Sequence, residues 1–198
     1  MQKLPSAPQN VSCALPALGL LALAPTIILY TLNQAQLLQI SPSLLGLVLI
    51  LGGATQFSAG LNARQQGNNS GSATLPPLGL FWLSLLGLQI FPDLHLGSSP
   101  SPAAITAYLS MWGLFAAILY LGSFRQSRMV QILFGTLMAC LLSLGMAEIR
   151  GNIVFFYTAA AAGSACGVTA FYIGVAQLLN SYMKRRIIPL GSWQAKLD

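Results

Sequence analysis

The sequence predicts an all-α membrane protein in which six transmembrane helices cross the bilayer and both termini lie in the cytosol. Three observations carry that expectation. Charged residues make up only 6% of the 198-residue chain, 55% are hydrophobic, and the mean hydropathy is +0.70. A water-facing surface needs roughly 25% charged residues, so this composition excludes a soluble domain. Apolar stretches of bilayer-spanning length, about 20 residues each, recur along the chain. Finally, Lys and Arg gather in alternate connections between those stretches.

The first span is Leu15–Leu32. It is long for the apolar core of a signal peptide, and further spans follow it. Pro16 sits in the opening turn, where its missing N–H costs nothing. Pro25 falls mid-span and predicts a kink. Ser41-Pro42-Ser43 opens the second span, Leu44–Ala63. The third, Ala73–Phe91, carries Pro76-Pro77 near its start. A Gly/Ser/Pro loop leads to the fourth, Ala103–Gly122, followed by Met129–Ala147 and by Ile153 to about Leu179. The longest polar stretches have loop length only. The chain therefore divides into a cytosolic segment 1–14, a six-helix transmembrane unit 15–182 and a basic cytosolic tail 183–198.

Lys3, Arg64, Arg125, Arg128, Lys184, Arg185, Arg186 and Lys196 fall on one side of these spans. Arg150, Asp93, His95 and Glu148 fall on the other. By the positive-inside rule the termini face the cytosol, with the chain in the plasma (inner) membrane. The net charge of +6 is thus a topology signal. Nucleic-acid binding would cluster its basic residues on a soluble face, and is excluded. Cys140 and Cys166 lie in apolar runs and read as small core residues. Cys13 precedes an apolar run, the wrong order for lipoprotein acylation.

Enzyme signatures are missing: no paired carboxylates, no HExxH, no GxSxG and no Walker loop. No metal cluster or cofactor motif is present either. The single histidine, His95, reads as a solvated loop residue near Asp93. No Asp, Glu, Lys, Arg or His lies mid-span, so a carboxylate relay across the bilayer centre is ruled out. Glu148 is expected to pair with Arg150 at one mouth.

Mid-span polarity is neutral, and its centre is the stretch from Gly52 to Gly71, GGATQFSAGLNARQQGNNSG. Gln56 stands where a lipid-facing helix would hold Leu. An unpaired polar group in hydrocarbon costs several kcal/mol, so this amide should point into protein or a solute path. Gly52, Gly53, Ala59 and Gly60 around it let other helices approach closely. Thr26 reads either as a path residue or as a hydroxyl serving backbone groups freed by Pro25. Gly163-Ser164-Ala165-Cys166-Gly167 has the small-xxx-small spacing of a packing seam. Neutral hydroxyls and an amide between apolar constrictions suit a small, weakly polar or singly charged solute.

From Leu15 to Gly191 the chain resembles the acetate uptake transporter family, also called the succinate–acetate permease family. Ala14-Leu15-Pro16-Ala17-Leu18-Gly19-Leu20 keeps the LGL core of that family's first-helix motif. The second-helix pattern is matched by Thr55-Gln56-Phe57-Ser58-Ala59-Gly60-Leu61, then Gly67-Asn68-Asn69-Ser70-Gly71. Phe81-Trp82-Leu83, Trp112-Gly113, Cys166-Gly167-Val168-Thr169-Ala170-Phe171-Tyr172 and Leu179-Asn180 before Pro189-Leu190-Gly191 follow in family order. The resemblance implies six helices per protomer, a hexameric homo-oligomer and one path through each protomer. It places the apolar constriction at Leu23, Leu78 and Leu137, where the family carries a Phe, a Tyr and a Leu. Both aromatic constriction residues are therefore replaced. Thr26 and Gln56 match polar positions along the same path, and Ala170 a position that sets solute size.

The function expected is membrane transport of small monocarboxylates such as acetate, by a channel or a proton-linked carrier, without a cofactor. Two alternatives fit the residues. One is a channel for small neutral solutes such as urea, amides or ammonia. The other is a non-transporting membrane sensor or scaffold.

Overall fold

The computed structural model describes residues 15–185 and 187–189. The expectations for segment 1–14, Arg186 and the tail from Leu190 onward lie outside the described residues. Six helices are long and apolar enough to cross a membrane: α1 Ala17–Gln34, α2 Pro42–Gln65, α3 Asn69–Asp93, α4 Pro102–Gly122, α5 Arg128–Arg150 and α6 Ile153–Tyr182. No strand occurs among the described residues.

Local chemistry sets the helix starts. Ser41, Asn68, Ser101, Ser127 and Asn152 each accept a hydrogen bond from a backbone N–H of the first turn, opening α2 to α6 in turn. These caps satisfy donors that the helix itself leaves unpaired. Pro42 and Pro102 follow two of them, already locked at a helical φ. The Asn68 cap starts α3 four residues before the expected Ala73, so Pro76 and Pro77 sit inside the helix. The Pro76 ring is accommodated because it lies against Gly60 of α2. Two tight connections turn on glycines with positive φ, Gly67 at +71° and Gly151 at +59°. That region favours a residue without Cβ.

The helices form a ring in chain order. Helix α1 packs against α2 and α6, α2 against α3, and α5 against α4 and α6. Small residues line these seams. A methyl group at Gly79 of α3 would lie 2.5 Å from the Gly53 carbonyl oxygen of α2. Gly163, Gly167 and Gly174 of α6 lie against Thr31, Ile28 and Leu21 of α1. The expected small-xxx-small seam is thus the α1–α6 contact. Thr106 of α4 donates to the Gly145 carbonyl of α5 at 3.0 Å. The ring closes between α3 and α4 through aromatic side chains. Phe81 lies 6.0 Å from Tyr108 and 5.4 Å from Trp112, centroid to centroid, and the Tyr108 hydroxyl donates to the Phe81 carbonyl at 3.0 Å.

One local expectation fails. Glu148 and Arg150 stand two residues apart in the last turn of α5, a separation at which helical side chains do not face each other. The expected ion pair does not form.

Candidate functional site

Helices α1, α3 and α5 each bury one apolar stripe. On α1 the stripe is Leu20, Leu23, Ile27 and Tyr30, and on α3 it is Leu75, Leu78, Trp82 and Leu85, all buried. These spacings of three and four residues keep a side chain on one helix face. Val130, Phe134, Leu137, Leu141 and Leu144 repeat the pattern on α5. Leu23, Leu78 and Leu137 are 0%, 2% and 1% exposed and belong to one contiguous apolar cluster with Ala170 and Cys166.

Helix register sets the levels. Gly52 lies against Thr26, so Gln56, one turn further along the antiparallel α2, comes level with Leu23. Gly53 meets Gly79 and Gly60 meets Pro76, which brackets Gln56 at the level of Leu78. On α6, Gly167 meets Ile28 and Gly174 meets Leu21, so Ala170 between them shares that level. Leu137 follows one turn after Leu133, whose carbonyl accepts from the Cys166 thiol at 3.5 Å. Leu23, Gln56, Leu78 and Ala170 are thereby brought together, while Leu137 stands further out along α5, one turn beyond the Leu133–Cys166 contact.

Gln56 carries the polarity of this level. Its side chain is fully buried, and neither Nε2 nor Oε1 has a hydrogen-bond partner. A buried orphan of this kind costs roughly 1–3 kcal/mol and requires an explanation. Thr26 is different. Its hydroxyl donates to the Ala22 carbonyl of its own helix at 2.8 Å. It also lines an outward groove of about 250 Å³ between α1 and α2, with Pro25, Val48, Leu51 and Thr55. The hydroxyls of Ser84, Thr136 and Thr169 likewise donate to carbonyls of the preceding turn. Among these mid-span polar groups, the Gln56 amide is the one left unpaired.

Two side chains at this core stand out only in the structure. The Tyr30 and Trp82 rings meet edge to face at 5.7 Å, joining α1 to α3 across the bundle. The Trp82 indole N–H is buried without a partner. Their signal in the sequence was spacing: Trp82 follows Leu78 by four residues and Tyr30 follows Leu23 by seven.

A family profile described as the GPR1/FUN34/yaaH family matches residues 3–192. The succinate-acetate/proton symporter SatP of Escherichia coli K12 is 30% identical over 183 residues, covering 92% of this chain and 97% of that protein. A glyoxylate pathway regulator of Yarrowia lipolytica is 31% identical over 179 residues, 84% of this chain and 65% of the relative. Among solved structures, that of the bacterial acetate channel SatP superposes with a TM-score of 0.84 at 29% identity, over 88% of this chain and 97% of that one.

Proposed function

This chain belongs to the GPR1/FUN34/yaaH family, and from that premise we propose that it carries small monocarboxylates, acetate first, through the centre of its six-helix bundle. The observation that carries the mechanism is the unpartnered Gln56 amide at the level of Leu23 and Leu78. A primary amide offers one acceptor and two donors. A protonated carboxyl group matches it: the amide N–H donates to the acid carbonyl, and the acid O–H donates to the amide oxygen. A bare carboxylate can use only the donors, and its charge would be costly to desolvate among leucines. The solute therefore crosses as the neutral acid and brings its own proton. Leu23, Leu78 and Leu137 form the constriction and part to let it through, one molecule at a time. Ala170 gives that level its width. Thr26 flanks it from α1, its hydroxyl held by its own backbone.

Further parts of this reading rest on sequence and family likeness. Both termini face the cytosol, supported by the one-sided distribution of Lys and Arg. The membrane is the plasma (inner) membrane. The working form is a homo-oligomer, a hexamer by family resemblance. Native mass measurement in lipid tests the last point, and accessibility of a C-terminal reporter tests the first.

The deciding experiment is uptake of labelled acetate into proteoliposomes at several external pH values. Uptake is expected to rise as pH falls and the neutral acid accumulates. Uptake that stays flat or declines overturns the reading. A channel for urea or other neutral amides would use the same Gln56 chemistry, and swelling of the same vesicles in neutral solutes separates the two. A protein that moves neither class is a sensor or scaffold.

A further inference from the structure

Replacement of two aromatic constriction residues by Leu23 and Leu78 leaves a question of selectivity. Leucine is flexible, and a ring of leucines presents no hydrogen-bonding group. The structure offers a second barrier on the same helix faces. Tyr30 lies two turns beyond Leu23 on α1, and Trp82 one turn beyond Leu78 on α3, in the direction leading away from the termini. Both side chains are buried, at 3% and 1% exposure, and belong to the same apolar cluster as the leucines. Their rings touch across the bundle at 5.7 Å with an interplanar angle of 69°, the edge-to-face arrangement that aromatic quadrupoles favour.

Their polar ends are treated differently by their surroundings. The Tyr30 hydroxyl accepts from Nε2 of Gln34 at 3.1 Å, which ties it to the outer end of α1. The Trp82 N–H has no partner. Buried indole N–H groups ordinarily find one. A rigid ring pair between α1 and α3 that also presents a spare donor has the properties of a selectivity element.

We propose that the Tyr30–Trp82 contact is the aromatic constriction of the solute path in this chain, and that the Trp82 N–H donates to the carbonyl oxygen of the passing acid. This rests on the reading that the path follows the inner faces of α1 and α3. The solute then meets two stations in series, the indole donor and, a turn further in, the Gln56 amide. Width is set by rigid rings rather than by leucine, so a short acid passes and a longer one is held back.

The test compares purified full-length variants in proteoliposomes, using labelled acetate and butyrate. Trp82→Phe keeps an aromatic ring and removes the donor, so acetate uptake should fall about five-fold with little change in the butyrate-to-acetate ratio. Tyr30→Ala opens the ring pair, so that ratio should rise about tenfold. Trp82→Phe uptake indistinguishable from wild type, or an unchanged ratio in Tyr30→Ala, overturns the proposal. Leu137→Ala separates this failure from failure of the path itself. If it alters uptake while Trp82→Phe and Tyr30→Ala do not, only the second constriction is wrong. If the wild-type chain moves neither acid, the path reading falls too. Should either variant misfold, a chain carrying Trp112→Phe and Trp193→Phe leaves Trp82 as its only indole. Its fluorescence should shift on adding acetate at acidic pH, and an unchanged spectrum counts against the donor.

Discussion

If Gln56 lines the proposed path, stability and function pull in opposite directions there. A fully buried amide with neither end bonded destabilises the fold, and an apolar side chain of similar size would not. Gln56→Leu should therefore raise stability, by about 1–2 kcal/mol in a reversible unfolding measurement in detergent or bicelles. The same change should cut acetate uptake at least about tenfold, because the solute loses its matched donor and acceptor. A variant that is both more stable and fully active would make the amide an accident of packing. Leu137 is the opposite kind of residue, apolar and 1% exposed. Leu137→Ala opens a cavity at a cost of about 2–5 kcal/mol. If Leu137 also pinches the path, the variant should admit longer acids. Unchanged selectivity in a folded variant would leave it as core alone.

At the scale of the helix, most of the architecture was legible from sequence, because a bilayer leaves few alternatives. A run of about 20 apolar residues must be helical to satisfy its own backbone. Helix α3 starts at Asn69, four residues ahead of the expected Ala73, because the Asn68 cap nucleates it before the apolar run begins. The site was legible only in part. Gln56 stood out as an amide in an apolar run. Tyr30 and Trp82 did not, since aromatic residues at helical spacing look like ordinary core until their rings are seen to meet. The seams allow a direct test. Gly79 faces the Gly53 carbonyl and the Phe57 backbone N–H of α2, so Gly79→Val must push two backbones apart. It should cost at least about 3 kcal/mol, beyond ordinary overpacking, because backbone yields less than side chain. At the far end of α6, Asn180 holds the chain that follows. Its Oδ1 accepts from the Ile187 and Ile188 N–H groups at 2.7 and 3.0 Å, and its Nδ2 donates to the Ile188 carbonyl at 3.0 Å. The Tyr172 hydroxyl adds a bond to the Pro189 carbonyl at 2.8 Å. Asn180→Ala should release this clasp and speed tryptic cleavage after Lys184 and Arg185, with the helical core intact. Cleavage at the wild-type rate would show that the clasp does not govern the tail.

Across the whole molecule, charges are confined to the ends of the spans. Arg64 lies in the last turn of α2, Asp93 ends α3, Arg128 opens α5, and Glu148 and Arg150 close it. Among the described residues, the bundle centre thus holds no carboxylate, histidine, lysine or arginine that could relay a proton from one face to the other. If proton and solute nevertheless move together, the proton must ride on the solute, and what crosses is uncharged. This has an electrical consequence. Moving a single charge through a potential of about 100 mV changes its energy by roughly 2.3 kcal/mol. An acetate anion would therefore be driven out of vesicles held negative inside, its accumulation falling by well over tenfold. The neutral acid feels no such force. Proteoliposomes clamped with a potassium gradient and valinomycin should take up acetate at the same rate with and without an inside-negative potential, provided the pH gradient is held fixed. They should also show no acetate current across a planar bilayer. A rate that follows the potential would mean that the anion crosses alone. The leucine level would then have to open to water, and the pairing of Gln56 with a protonated carboxyl group would lose its role.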